Sequence, residues 1–191
     1  MKHMVHNWDN VSMEIVLALL NGGMHVRRLA YEIETPHPTV HRRVNDLIMA
    51  NVLDFRMEGK NKVVFLKGGL QARNHVLNAE RYKLNKLLQH YPRLSVILDG
   101  MLGRTDAEMV VLFGSYAKFT AGKDSDIDVF AETLDESAKL RMESVHSKIR
   151  IKTGELDTDS PLIKEIIKHH VILKGAERFH DKVKVPREIE G

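Results

Sequence analysis

The sequence of 191 residues contains no cysteine and no long apolar run. Without cysteine the chain can form no disulfide framework, zinc ribbon or iron–sulfur cluster, and it has no thiol nucleophile. Apolar runs such as 110–113 are far too short to span a bilayer, and the first six residues lack the apolar core of a signal peptide. We therefore expect a cytoplasmic globular protein of one or two domains that has no membrane partner.

The sequence also has little excess charge of either sign, because it contains 29 lysines and arginines and 26 aspartates and glutamates. Residues 1–75 contain ten basic and seven acidic residues and six of the eleven histidines, whereas the rest of the chain is balanced. The formal excess of +3 thus lies entirely in the N-terminal part. A modest basic bias of this kind suggests a polyanion as partner without demonstrating one.

The N-terminal part of the chain predicts three helices. Apolar residues at helical spacing indicate a first helix that ends at the glycine pair beginning with Gly22, and a second helix over 26–33. Two prolines then interrupt the helical pattern. Thr39 is the expected N-cap of a third helix with one apolar stripe. The opposite face of that third helix is polar and largely basic.

Two short β-like runs follow, at 52–56 and 62–66, and they flank a turn that contains Gly59. Two helices, a turn, a third helix and a hairpin are the order of elements in a winged helix-turn-helix, and this stretch resembles that family. The resemblance implies that the third helix lies in the major groove of DNA and that the hairpin contacts the DNA backbone.

Six side chains on the third helix and the hairpin tip would then face DNA. Arginine pairs bidentately with guanine or phosphate, and lysine at the tip of the hairpin would meet phosphates. The residues concerned are Thr39, His41, Arg42, Arg43, Lys60 and Lys62. The alternative is that these charges form a solvated face and that the module mediates protein contacts.

The chain divides by composition into four segments. A winged helix domain is expected over 1–69, a linker helix over 70–91, a second domain over 92–180 and a flexible tail over 181–191. A leucine stripe on the linker helix fits packing against the chain's own domain or the seam of a homodimer. The stripe shows no sustained heptad repeat, which would have indicated a homodimer.

The residues that carry chemistry lie between 110 and 130. A buried strand over 110–113 is followed by Gly114 and Ser115, ten further residues, and then Asp126 and Asp128. Two aspartates separated by one residue on a strand share a face, so they can hold one divalent ion or bridge two. Glycine lets the backbone approach a ligand closely, and a serine at the expected start of a helix suits a phosphate.

This Gly-Ser, spacer, Asp-x-Asp stretch resembles the nucleotidyltransferase superfamily that includes DNA polymerase beta, and within it the minimal nucleotidyltransferases. The resemblance implies a mixed sheet flanked by helices, which gives the whole chain an α+β fold. It also implies that Gly114 and Ser115 bind the triphosphate of an NTP such as ATP. Asp126 and Asp128 would be catalytic and would hold two Mg²⁺ ions, one activating the acceptor hydroxyl and one stabilising the leaving pyrophosphate.

A third metal-binding carboxylate, normal in active members of that superfamily, is not evident. The next strand candidate, 148–153, presents Lys148, Arg150 and Lys152 on its alternate face. Glu155 is the nearest acid, and if it does not reach the site then one Mg²⁺ is expected rather than two. A basic side chain in that place would oppose metal binding by repulsion of like charges.

The sequence thus favours a DNA-binding nucleotidyltransferase that transfers a nucleoside monophosphate from an NTP to an unidentified acceptor. The alternative is a DNA-binding regulator, or an antitoxin-like protein, whose nucleotidyltransferase domain has lost catalysis. The remaining chain predicts a helix over 162–169 and a strand over 171–173. The adjacent pair His169 and His170 does not share a helix face, so it is interpreted as compensation of the helix dipole rather than as a metal pair.

Overall fold

The computed structural model describes residues 10–183. Contacts divide these residues into two compact units, 10–79 and Glu80–Val183. The division falls inside the long helix α4 (Leu70–His90), so this helix contributes residues to both units. No helix among the described residues is both long enough and apolar enough to cross a membrane.

The first unit contains three helices and a small antiparallel sheet. Its elements are α1 (Asn10–Ala18), a 3-10 turn (Leu19–Asn21), β1 (Met24–His25), α2 (Val26–Glu32), α3 (His37–Met49), β2 (Leu53–Glu58) and β3 (Asn61–Leu66). The strands lie in the order β1-β3-β2, and the hairpin turns at Gly59, whose φ is +61°. Ile15, Leu29 and Val44, one from each helix, are completely buried core residues. This is the expected order of elements, with one short strand added.

The third helix begins earlier than predicted. It starts at His37 with Pro36 in the N-cap position, and Pro38 lies in its first turn. The prediction that Thr39 is the N-cap was wrong, because proline is tolerated in the first turn, where its missing N–H would have no partner. The two prolines therefore start the helix instead of delaying it.

The second unit is a four-stranded sheet with helices on both faces. Its elements after α4 are α5 (Leu94–Leu102), β4 (Val110–Leu112), α6 (Gly114–Ala117), β5 (Ile127–Glu132), α7 (Glu136–Glu143), β6 (Ile149–Gly154), α8 (Pro161–Lys168), β7 (Val171–Lys174) and α9 (Ala176–Val183). The strand order is β6-β5-β4-β7, with β5 and β6 parallel and the other pairs antiparallel. The mixed sheet and the α+β class are thus confirmed.

The two faces of this sheet pack against different helices. On one face Val129 and Ile151 belong to a buried cluster with residues of α5 and α7. On the other face Phe130 belongs to a cluster with Ile166 of α8 and Phe179 of α9. Because side chains alternate along a strand, residues two positions from Phe130 lie on the α8 and α9 face.

The C-terminal helix α9 was not predicted. The sequence favoured a flexible tail from 181, but residues 181–183 complete α9, which is anchored by the buried side chains of Phe179 and His180. The rest of the expected tail, 184–191, lies outside the described residues, as do residues 1–9.

Candidate functional site

The site begins where β4 ends beside β5. The amide of Phe113 donates to the carbonyl oxygen of Asp128 over 2.9 Å. Gly114 follows with φ of +69°, and a Cβ added there would lie 2.4 Å from Oδ2 of Asp128. Only glycine combines this backbone angle with so close an approach to a carboxylate. The sequence suggested that Gly114 approaches a ligand, and what the structure shows is its close approach to Asp128.

The two aspartates share one face. Asp126 immediately precedes β5 and Asp128 lies within it, while the intervening Ile127 and the following Val129 are buried on the opposite side. Partial burial raises the pKa of Asp128, and the negative charge of Asp126 raises it further. A cation bound between the carboxylates would relieve that repulsion.

The spacer between the Gly-Ser pair and the aspartates is folded by local hydrogen bonds. Ser115 is the second residue of α6, and its carbonyl oxygen accepts from the amide of Thr120 over 3.0 Å. The amide of Gly122 donates to the hydroxyl of Ser125 over 2.9 Å. Lys118 pairs with Glu165 of α8 at 2.6 Å, and this hydrogen bond lowers the pKa of the Glu165 carboxyl.

Strand β6 brings positive charge to the aspartates. The parallel register pairs Asp128 with Arg150, and Nη2 of Arg150 lies 3.4 Å from Oδ1 of Asp126. Nη1 of Arg150 donates to the carbonyl oxygens of Ser147 and Ile149 over 2.7 and 3.0 Å. The positive charges of Arg150 and Lys152 partly offset the rise in the pKa of Asp128. The basic face suggested by the sequence is present, and it forms an ion pair with a predicted metal ligand.

Glu155 lies at the other end of β6. It follows Gly154, which pairs with Glu132, and it shares a polar pocket with Arg178. Glu155 lies five positions beyond Arg150, which is roughly 16 Å of extended chain. The structure therefore does not bring Glu155 to the aspartates.

Asp126 and Asp128 are the described residues of this site that could hold a divalent cation. Among the described residues no group of three or more His, Cys, Asp or Glu side chains could hold a metal ion. Asp126 and Asp128 provide two carboxylates on one accessible face, and Mg²⁺ binds in nucleotide sites through one or two carboxylates plus phosphates of the substrate. A second ion would need a further acid where Arg150 lies.

A separate basic cleft of about 490 Å³ lies in the first unit. It brings together the predicted residues His41, Lys60 and Lys62, and Nζ of Lys62 lies 3.9 Å from the ring centroid of Phe55. Among the described residues that line it, none is acidic. The sequence interpretation missed the other lining residues, which are His25, Val26, Arg27, Arg28, His37 and Asn61. The pair of arginines at the start of α2 was the available signal.

The other three predicted contacts lie elsewhere on α3. Arg42 is exposed, whereas Thr39 and Arg43 are half-buried. Nη1 of Arg43 lies 3.2 Å from Oδ2 of Asp46, so an ion pair within α3 engages part of its guanidinium. Of the two arginines, Arg42 is the one that is more accessible to a partner.

Sequence interpretation also missed a buried charged cluster in the second unit. Nε2 of His170 and Nε2 of His180 lie 3.1 and 3.2 Å from Oε1 of Glu80, and all three side chains are almost fully buried. Burial alone would raise the pKa of the Glu80 carboxyl, but the neighbouring imidazoles lower it, chiefly through the interaction with His170. His170, interpreted from the sequence as dipole compensation, is thus hydrogen-bonded to the buried Glu80.

Comparison with known proteins gives one family match and several distant structural likenesses. A search of curated proteins found no match. The transcriptional repressor BigR from Xylella fastidiosa aligns with a TM-score of 0.33 and 21% identity over 35% of this chain and 66% of that chain. The adhesin competence repressor AdcR from Streptococcus pyogenes gives a TM-score of 0.40 and 15% identity over 47% of this chain and 67% of that chain. This chain thus covers about two thirds of each repressor.

A solved structure described as the toxin-antitoxin with AMP-PNP aligns with a TM-score of 0.33 and 22% identity over 55% of this chain and 80% of that chain. The family model described as "Polymerase beta, Nucleotidyltransferase" matches residues 97–178. The matched segment contains Gly114, Ser115 and both aspartates, so residues 97–178 form a nucleotidyltransferase-like domain.

Proposed function

We propose that the nucleotidyltransferase-like domain binds a nucleoside triphosphate together with one Mg²⁺. The observation that carries this proposal is the contact of the Gly114 backbone with Asp128, beside Asp126, on an accessible face. Gly114 and Ser115 would receive the triphosphate, and the two carboxylates would hold the ion. When bound there, Mg²⁺ supplies positive charge that neutralises the phosphates.

The first candidate reaction is transfer of the nucleoside monophosphate to an acceptor. The bond between the α- and β-phosphates breaks, a bond from the acceptor oxygen to the α-phosphorus forms, pyrophosphate leaves and the acceptor proton passes to solvent. The family match of residues 97–178 supports this reaction. An antibiotic, a protein side chain, a tRNA end and a second protein all remain candidates for the acceptor.

We also propose that the first unit binds DNA. Its support is the cleft in which the start of α2, the helix α3 and the hairpin present arginine, lysine and histidine without an acid among the described lining residues. Clustered cations of this kind bind the phosphate backbone of nucleic acids. Replacing both Arg42 and Arg43 by alanine should weaken sequence-selective binding, and an unchanged affinity would count against the proposal.

The second candidate function is that of a DNA-binding transcriptional regulator or an antitoxin-like protein that transfers no nucleotide. The ion pair between Arg150 and Asp126 favours it, because a guanidinium lies where a further metal ligand would be needed. In this case the NTP acts as a bound ligand rather than as a substrate.

Pyrophosphate release separates the two candidates. The wild-type protein and Asp126→Asn are incubated with each NTP and Mg²⁺, alone and with DNA, tRNA or an aminoglycoside as acceptor. Release by the wild type that Asp126→Asn abolishes would support transfer. Saturable NTP binding with no release under any of these conditions would support the regulator.

A further inference from the structure

The ion pair between Asp126 and Arg150 is built from two half-exposed side chains. The exposed fractions are 48% for Asp126 and 52% for Arg150, and the separation is 3.4 Å. An exposed pair of this kind is stabilised only weakly, so it can exchange partners readily. The neighbouring Asp128 and Lys152 complete a face with two acids and two bases, whose formal charges cancel.

We infer that Arg150 makes metal and nucleotide bind together, because it neutralises Asp126 in the free protein and transfers to the triphosphate when a divalent ion takes the carboxylates. This inference rests on the proposed function and deepens it. It assigns to Arg150 a binding role in the same site, although Arg150 lies outside the Gly-Ser and Asp-x-Asp pattern.

From the charges we expect the divalent cation alone and the triphosphate alone to bind weakly. A divalent cation alone must displace Arg150 from Asp126 and then remain near two uncompensated cations, Arg150 and Lys152. A triphosphate alone would bring its negative charge towards Asp126 and Asp128. When both arrive, each carboxylate faces the metal and each cation faces phosphate, so that repulsion is removed on both sides.

The anchoring of Arg150 suits this exchange. One end of the guanidinium is held by the carbonyl oxygens of Ser147 and Ile149, while Nη2 faces Asp126. A small rotation therefore changes the partner of Nη2 without releasing the group from the face. The planar guanidinium matches a phosphate in two-point contact, which the ammonium group of Lys152 does not.

The test compares wild type, Arg150→Gln and Arg150→Lys in the full chain. Mn²⁺ binding without nucleotide is measured from the loss of the free-ion signal in electron paramagnetic resonance. Binding of each of the four NTPs in Mg²⁺ is measured by calorimetry. Arg104→Gln is the matched control, because it removes an exposed arginine that lies after α5 and outside the site.

Removing the guanidinium should move the two affinities in opposite directions. In Arg150→Gln the affinity for Mn²⁺ alone should rise by about two- to fivefold, because the ion no longer has to break an exposed ion pair of that strength. The affinity for the NTP should fall by about tenfold, because a charged hydrogen bond to phosphate is lost. Arg150→Lys should restore part of the NTP affinity, and Arg104→Gln should match the wild type.

Three results would overturn the inference. If NTP binding depends on Asp126 but Arg150→Gln changes neither affinity, the coupling is wrong while the proposed function stands. If both affinities fall in Arg150→Gln and Arg150→Lys, the arginine is structural. If the wild type binds none of the four NTPs, the proposed function fails and this inference fails with it.

Discussion

Gly114 and Asp128 share a space that admits no Cβ, and this contact gives the candidate site its shape. The Gly-Ser pair and the paired aspartates could be recognised from sequence because both are local patterns. The contact itself could not, because it depends on the way in which β4 meets β5 across the spacer. The Glu80 cluster was missed for the same reason, since Glu80 and His170 are 90 positions apart.

Gly114→Ala should lose NTP binding and also destabilise the domain. The new Cβ would lie 2.4 Å from Oδ2 of Asp128, and φ of +69° is strained for alanine. A cost of about 1–3 kcal/mol is expected from such strain. Gly122→Ala is the matched control, because a Cβ there meets nothing within 4 Å. Thermal melting and NTP titration of both variants measure the difference, and equal behaviour would contradict the geometry.

Glu80→Gln should destabilise the second unit strongly at neutral pH. The substitution removes the carboxylate that is hydrogen-bonded to the buried His170, and loss of a hydrogen bond to a charged group costs about 1.5–3 kcal/mol. Urea unfolding measures the loss. Glu177→Gln, an exposed change on α9, should cost far less, and a similar cost for both variants would show that the buried pair is not important for stability.

The same carboxylate makes the stability depend on pH. Because the folded-state pKa of Glu80 lies below its ordinary value of 4.5, its contribution is complete above pH 4.5. It is lost as the pH falls from there through the folded-state value. Unfolding measured from neutral pH to below 4.5 should therefore show a decline in the wild type. In Glu80→Gln this part of the decline should be missing, and parallel curves would contradict the assignment.

Individual elements were predicted better than their pairing. The apolar periodicity of α3, α8 and the strand β5 is strong, so these elements appear close to the expected positions. The register of β5 against β6 places Arg150 beside Asp128, and no local pattern specifies that register. Sequence could show a basic strand, but only the sheet shows which acids that strand faces.

The hairpin tip should contribute to DNA affinity through phosphates. Replacing Lys60 and Lys62 by alanine removes two cations from the basic cleft, and DNA affinity should fall for every sequence alike. The slope of log affinity against log salt should decrease in magnitude by about two. The control replaces the exposed Lys164 and Lys168 of α8 by alanine, which removes the same number of positive charges. The slopes are measured by fluorescence anisotropy with a duplex DNA at several salt concentrations. Equal slopes for the hairpin double variant and the α8 double variant would contradict this role.

Across the whole molecule the two units carry different charge and different candidate sites. From the basic excess and winged-helix order in the first part and the Gly-Ser and Asp-x-Asp pattern in the second, the sequence predicted domains over 1–69 and 92–180 with a linker helix between them. It did not show that α4 contributes to both units or that α9 is ordered. Both features depend on contacts between residues far apart in the chain.

The two proposed activities should separate by mutation. In the absence of nucleotide, Asp126→Asn should leave DNA affinity unchanged. The double change Arg42→Ala and Arg43→Ala should leave NTP affinity unchanged, because these residues lie in different units. Anisotropy and calorimetry on the same protein preparations measure both quantities. Loss of both activities in either variant would show that the sites are not independent.

The central claim is that Asp126 and Asp128 hold an NTP through Mg²⁺. Calorimetric titration of the wild type and Asp126→Asn with each of the four NTPs, with and without Mg²⁺, tests it most directly. We expect saturable binding of at least one NTP that requires both Mg²⁺ and Asp126. Binding that survives in Asp126→Asn, or no binding of any NTP to the wild type, would contradict the claim.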